Sequence, residues 1–180
     1  MAGALFLALA AISVPYPFSF LFAVGIHELS HIAVAYLFGW GRVWRISSFT
    51  GFGICYSGIH STLSRLCVSL SGCAVGIIIS LIPILDRNFR LYSLGLSCLN
   101  LLPVQGLDGG EAFLAACEAL LGVRGAWISF RIVSAVCAII LWGICVAVQL
   151  KAGANLTLLA VTLFLTVKAL GTEKSSYRKG

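Results

Sequence analysis

The chain has 180 residues, of which 60% are hydrophobic and only 10% are charged, and its formal net charge at pH 7 is +6. Soluble domains carry about 25% charged residues, so this chain cannot cover its surface with charge, and we expect lipid to surround most of it. The composition excludes a soluble cytosolic enzyme and a disordered chain. The 12 basic residues are scattered over short loops and the tail, which is typical of membrane-interface charges and argues against a nucleic-acid partner.

Long apolar segments divide the chain into predicted membrane spans. A helix needs about 20 apolar residues to cross the hydrocarbon core. The first apolar stretch runs to Gly41 with only Glu28 interrupting it. It is too long for one span, and Pro15 and Pro17 offer the break. The predicted spans cover residues 2–14, 18–39, 66–85, 91–107, 132–150 and 153–170.

These spans predict an all-α polytopic membrane protein with about six transmembrane helices. Residues 1–171 would form a single membrane-embedded domain, and residues 172–180 a short basic tail. With six spans both termini lie on the same side, and the bias of basic residues predicts that this side is cytoplasmic. The seven cysteines lie mostly in apolar runs and are interpreted as reduced packing residues.

A segment between the second and third spans differs from the helices around it. Residues 43–60 are rich in aromatic, β-branched and glycine residues around Gly51-Phe52-Gly53. This composition predicts a small membrane-associated β-hairpin. In the third span, Gly72 and Gly76 form a Gly-x-x-x-Gly pattern, which permits close packing of helices but says little about function.

The second span carries the strongest chemical signal, His27-Glu28-Leu29-Ser30-His31. Residues at i and i+4 share one face of a helix, so both imidazoles can bind a single Zn²⁺. The glutamate between them is placed to take a proton from a metal-bound water. Ionisable groups in the middle of a membrane span are costly, which favours a functional role over simple packing.

Two imidazoles leave a zinc site one protein ligand short, and a second polar segment, residues 100–110, offers candidates. Pro103 and Gly106 break the fourth helix, and Asp108 lies just past the break. One interpretation of Asp108 is the N-cap of a following helix over 109–121, with Glu111 at its third position. The other is the third metal ligand, for which Glu111 and His60 are the competing candidates. The two roles of Asp108 can coexist.

The combination of the two motifs resembles the site-2 protease family of membrane-embedded zinc metallopeptidases. The residues that carry the resemblance are the pentapeptide 27–31 and, about 75 residues later, Asn100-x-x-Pro103-x-x-x-Leu107-Asp108-Gly109. The compact layout is most similar to the stage IV sporulation branch, without its C-terminal nucleotide-sensing CBS domain. The resemblance implies a multi-pass protein of the bacterial cell membrane.

The resemblance also implies roles for individual residues. One Zn²⁺ per chain would be held by His27, His31 and Asp108, with Glu28 as general base for a water that the metal activates. Peptide bonds within or next to a transmembrane segment of a membrane-associated protein would be hydrolysed, and a regulatory membrane protein is a further expected partner. The residues expected to contact substrate are Gly51, Phe52, Gly53, Asn100 and Pro103.

Other functions use the same buried polar residues. The main alternative is a small membrane transporter or metal carrier in which His27, His31 and Asp108 form a transit site. Another is a catalytically silent protein that holds a partner helix. Glu28 separates these functions, because hydrolysis needs a carboxylate at that position, whereas transit or binding should tolerate glutamine.

Overall fold

The computed structural model describes residues 15–39, 41–44, 54–57 and 61–152, together with the single positions 159, 162, 163 and 166. These residues form four helices and two short strands. In chain order the elements are α1 (Pro17–Leu37), β1 (Gly41–Trp44), β2 (Ile54–Ser57), α2 (Thr62–Ser80), α3 (Arg87–Asn100) and α4 (Asp108–Ala152).

Helices α1 and α2 correspond to the second and third predicted spans. Helix α1 has a proline in its first turn, where no backbone N–H is needed. Helix α2 begins earlier than predicted because the Ser61 hydroxyl accepts a hydrogen bond from the Ser64 N–H and caps the helix. In the described part of the chain, three helical segments are long and apolar enough to cross a membrane: 17–37, 62–80 and 108–151.

The prediction of a membrane span over 91–107 is wrong in its bounds, because the helix in this region is the shorter α3. This helix begins at Arg87, where the Asp86 carboxylate accepts a hydrogen bond from the Phe89 N–H, and it ends at Asn100. Its 14 residues extend only about 21 Å, less than the roughly 30 Å of hydrocarbon. The predicted break is present, since residues 101–107 are not helical and Gly106 has a φ of 82°.

Helix α4 is sharply bent at Gly122, whose φ of 69° and ψ of 169° lie outside the helical region. The rings of Phe113 and Phe130 have centroids 6.4 Å apart, whereas 17 residues of straight helix would separate them by about 25 Å. The arms 108–121 and 123–152 therefore fold back on each other. They correspond to the predicted helices over 109–121 and 132–150, although the second arm begins earlier than predicted.

Helix α2 lies at the centre of the bundle and contacts α1, α3 and α4. The contact with α3 is close because Gly76 has no side chain: a Cβ atom there would overlap the Ser97 hydroxyl. Many apolar side chains on the outer faces are exposed, among them Phe18, Ile84 and Leu150. This is the surface expected of helices whose outer solvent is lipid.

The hairpin, the number of spans and the cysteines were also predicted from the sequence. Strands β1 and β2 pair antiparallel, with Gly41 opposite Ser57, at the two ends of the predicted hairpin; its association with the membrane stays a prediction. The first predicted span, 2–14, and most of the sixth lie outside the described residues, so the number of spans and the side of the termini stay predictions. The described cysteines outside the strands are free thiols.

Candidate metal centre

Three side chains from two distant parts of the sequence converge between α1, α2 and the start of α4. Nε2 of His27 lies 2.9 Å from Oδ2 of Asp108, and Nε2 of His31 lies 3.2 Å from the same oxygen. The two Nε2 atoms are 3.3 Å apart. The three atoms thus form a small triangle, the arrangement in which they could share one metal ion.

Each ligand atom is positioned by local structure that the sequence encodes. One turn of α1 places His27 above His31, and their rings meet edge to face. The break after Asn100 returns the chain so that α4 begins with Asp108 directed at the histidines. Asp108 is the first helical residue, because the Glu111 N–H donates to the Leu107 carbonyl. The predicted N-cap position for Asp108 is therefore corrected by one residue.

Glu28 lies beside this cluster on α1. It is half-buried and close enough to His31, His27 and Asp108 to interact with them electrostatically. The exposed fraction of the Asp108 side chain is 24%, against 5% for His27. The cluster is thus closed on the histidine side and more open where the two carboxylates lie.

Gly72 of α2 forms the floor under the two histidines. A Cβ atom at this position would lie 2.5 Å from Nε2 of His31 and 2.7 Å from Cε1 of His27. No real Cβ atom tolerates such distances without displacing its neighbours. The sequence showed Gly72 only as part of a packing pattern, and its contact with the site depends on tertiary structure that the pattern does not specify.

Replacing Gly72 by alanine should disrupt the metal centre. The added methyl group must push the imidazoles away from Asp108, and such overpacking costs about 1–3 kcal/mol of stability. We expect zinc content to fall sharply in the purified variant, as measured by atomic emission. Gly25→Ala in α1 is the matched control, because a Cβ atom at Gly25 meets nothing within 4 Å. Equal zinc in both variants would show that Gly72 does not shape the site.

The residues fit a zinc ion. Ligand atoms at about 2.0–2.1 Å from a tetrahedral metal lie roughly 3.3 Å from one another, and the three distances of 2.9, 3.2 and 3.3 Å are close to that value. Two imidazoles and one carboxylate are donors that Zn²⁺ commonly takes, and three protein ligands leave a coordination position open. An open position is the feature of catalytic zinc sites.

The remaining predicted site residues lie apart from the cluster or outside the described residues. Asn100 donates its side-chain amide to the Leu96 carbonyl of its own helix. The Pro103 carbonyl accepts a hydrogen bond from the Ser134 hydroxyl. Glu111, one alternative third ligand, is exposed and not part of the cluster. The positions outside the described residues are Gly51, Phe52, Gly53 and His60.

Comparison with known proteins gives a similarity of fold. No protein-family model and no curated protein sequence matches the chain. Among solved structures, the Site-2 Protease from Methanocaldococcus jannaschii is similar, with a TM-score of 0.64 over 93% of this chain and 86% of that chain. The two sequences are 20% identical over this alignment. At this identity the comparison shows a shared fold.

Proposed function

We propose that this chain is an intramembrane zinc metalloprotease that hydrolyses peptide bonds within or next to a transmembrane segment of a membrane-associated protein. The observation that carries the proposal is the triangle of His27, His31 and Asp108, formed within a bundle of apolar helices. Glu28, on the same turn of α1, provides a carboxylate for proton transfer. The fold shared with a site-2 protease supports this function.

The roles of the residues follow from their chemistry. His27, His31 and Asp108 would hold Zn²⁺, which supplies a Lewis acid that polarises a peptide carbonyl and acidifies water. Glu28 accepts a proton from the attacking water, whose oxygen forms a bond to the carbonyl carbon. The C–N bond then breaks, and Glu28 delivers the proton to the leaving nitrogen. Water alone is the nucleophile, so no serine or cysteine is needed.

The substrate must present an extended backbone to this site. A helix hides its carbonyls in internal hydrogen bonds, and unpaired backbone groups are costly in lipid. Strands β1 and β2 form a two-stranded sheet, and addition of an extended peptide to a sheet edge would satisfy the unwound segment. We therefore propose that the Gly51-Phe52-Gly53 segment, which joins these strands in the sequence, binds substrate. The resemblance to site-2 proteases adds Asn100 and Pro103, at the end of α3 and in the break before α4, to this proposal.

Replacing both Gly51 and Gly53 by valine should slow cleavage while zinc content stays normal. The branched side chains would block close approach of a substrate backbone and any conformation with positive φ. Turnover of a membrane substrate and zinc content are measured on the same preparation. Loss of zinc in proportion to loss of activity would contradict this role and make the hairpin a structural support of the metal centre.

The proposed function is tested on the purified protein with a panel of single-span membrane proteins. We expect about one zinc ion per chain and cleavage that stops when a chelator removes the metal and returns when zinc is added back. Zinc binding without cleavage of any substrate would favour the transporter or the catalytically silent binding protein instead. The sporulation branch and a regulatory membrane protein are finer proposals that rest on the family resemblance alone. The cytoplasmic position of the termini is a proposal that rests on the distribution of basic residues.

A further inference from the structure

The two imidazoles of the metal centre differ in what holds their second nitrogen. Nδ1 of His31 lies 2.7 Å from the Val68 carbonyl oxygen and 3.2 Å from the Ser71 hydroxyl. The Ser71 hydroxyl itself donates to the Val68 carbonyl at 2.7 Å. These three groups form a compact hydrogen-bond network between α1 and α2. In contrast, Nδ1 of His27 is buried and has no hydrogen-bond partner among the described residues.

The chemistry of this hydrogen-bond network determines which nitrogen of His31 carries hydrogen. A carbonyl oxygen can only accept a hydrogen bond, so Nδ1 of His31 must be the donor. The single hydroxyl proton of Ser71 is donated to the Val68 carbonyl, so the Ser71 oxygen can only accept from His31. The Nδ1–H of His31 is then bifurcated between the Val68 carbonyl and the Ser71 hydroxyl. In the neutral imidazole, the form that binds a metal, Nε2 of His31 therefore keeps its lone pair, and it faces His27 and Asp108.

We infer that Ser71 is a positioning residue for His31. Its hydroxyl, bound to the Val68 carbonyl, keeps that oxygen on the side of α2 that faces His31, and it shares the Nδ1–H that orients the ring. Partners of this kind, which hold the nitrogen opposite a metal, typically change metal affinity by about 10–100-fold when removed. The inference rests on the proposed metal centre but not on proteolysis, because it concerns only the binding of the ion.

Ser80 provides a matched control on the same helix. Both serines are buried, and both donate to the carbonyl three residues earlier, which for Ser80 is that of Ile77 at 2.6 Å. Of these two serines, Ser71 alone lies within hydrogen-bond distance of a metal-site histidine, 3.2 Å from Nδ1 of His31. Ser71→Ala and Ser80→Ala thus remove the same kind of bond from α2, and an effect through helix stability alone should appear in both variants.

The experiment measures the affinity of the full-length apoprotein in detergent for Zn²⁺, by competition with a chromophoric chelator. We expect roughly tenfold weaker binding in Ser71→Ala and wild-type binding in Ser80→Ala. The visible spectrum of the Co²⁺-loaded protein should change in Ser71→Ala alone, because the imidazole is free to turn. Ser71→Thr and Ser71→Val have nearly the same shape, and threonine should bind zinc about tenfold more tightly than valine.

Several results would overturn the inference. These are wild-type affinity and spectrum in Ser71→Ala, the same loss in Ser71→Ala and Ser80→Ala, or equal affinities for the threonine and valine variants. A wild-type protein that binds neither Zn²⁺ nor Co²⁺ would also overturn it. Zinc affinity that depends on Ser71 in a protein that cleaves no peptide would support the inference while contradicting the proposed protease activity.

Discussion

Glu28→Gln should leave the fold and the bound zinc intact while peptide cleavage falls by at least 10²–10⁴-fold, the usual effect of losing a general acid–base group. Glutamine has nearly the shape of glutamate but cannot take a proton from water. The triangle of His27, His31 and Asp108 does not include Glu28, so metal content should not change. The measurement compares initial cleavage rates of one membrane substrate at equal zinc occupancy.

The same substitution at Glu111 is the control for Glu28→Gln. Glu111 is exposed and lies outside the triangle, so Glu111→Gln should cleave at the wild-type rate. A Glu28→Gln protein that cleaves nearly as fast as wild type would exclude the mechanism. If wild type moves metal across a vesicle membrane, and Glu28→Gln moves it equally well, the transporter becomes the better function.

The relative position of the two histidines could be predicted from the pentapeptide 27–31 alone, because both lie within about one turn of the same helix. Spacing at i and i+4 fixes the relative positions of His27 and His31 whatever the rest of the fold does. The length of the apolar segments likewise predicted α1 and α2. Asp108 was a weaker prediction, since a break of seven residues, 101–107, can direct the next side chain in many ways, and in the sequence alone it competed with a capping role.

The rest of the site depends on contacts that no local pattern encodes. Gly72 and Ser71 are ordinary residues of an apolar helix, and only the packing of α2 against α1 places one beneath the imidazoles and the other beside Nδ1 of His31. For a similar reason, the sequence did not predict that the chain reverses direction at Gly122. A single glycine with positive φ joins two long helical segments, where sequence reasoning expects a longer connection.

Asp108→Ala is the second substitution with a large expected effect: it should lose most of the bound zinc and all detectable cleavage. Zn²⁺ with two neutral imidazoles keeps its full double charge, and one carboxylate halves that charge in a poorly solvated site. Asp108 Oδ2 lies 2.9 Å from Nε2 of His27 and 3.2 Å from Nε2 of His31. Zinc content by atomic emission and cleavage are measured on the same preparation, with Asp108→Asn to preserve the shape of the side chain.

The alternative ligands provide the controls for Asp108. Glu111 is one turn further along α4 and exposed, so Glu111→Ala should keep zinc and cost at most about 1 kcal/mol, the upper range for a charge near a helix N-terminus. His60→Ala should also keep zinc, because His60 belongs to neither of the two sequence motifs that supply His27, His31 and Asp108. Zinc retained in Asp108→Ala but lost in Glu111→Ala would reverse the assignment. Loss in Asp108→Ala and retention in Asp108→Asn would mean that the position needs an oxygen donor and not a negative charge.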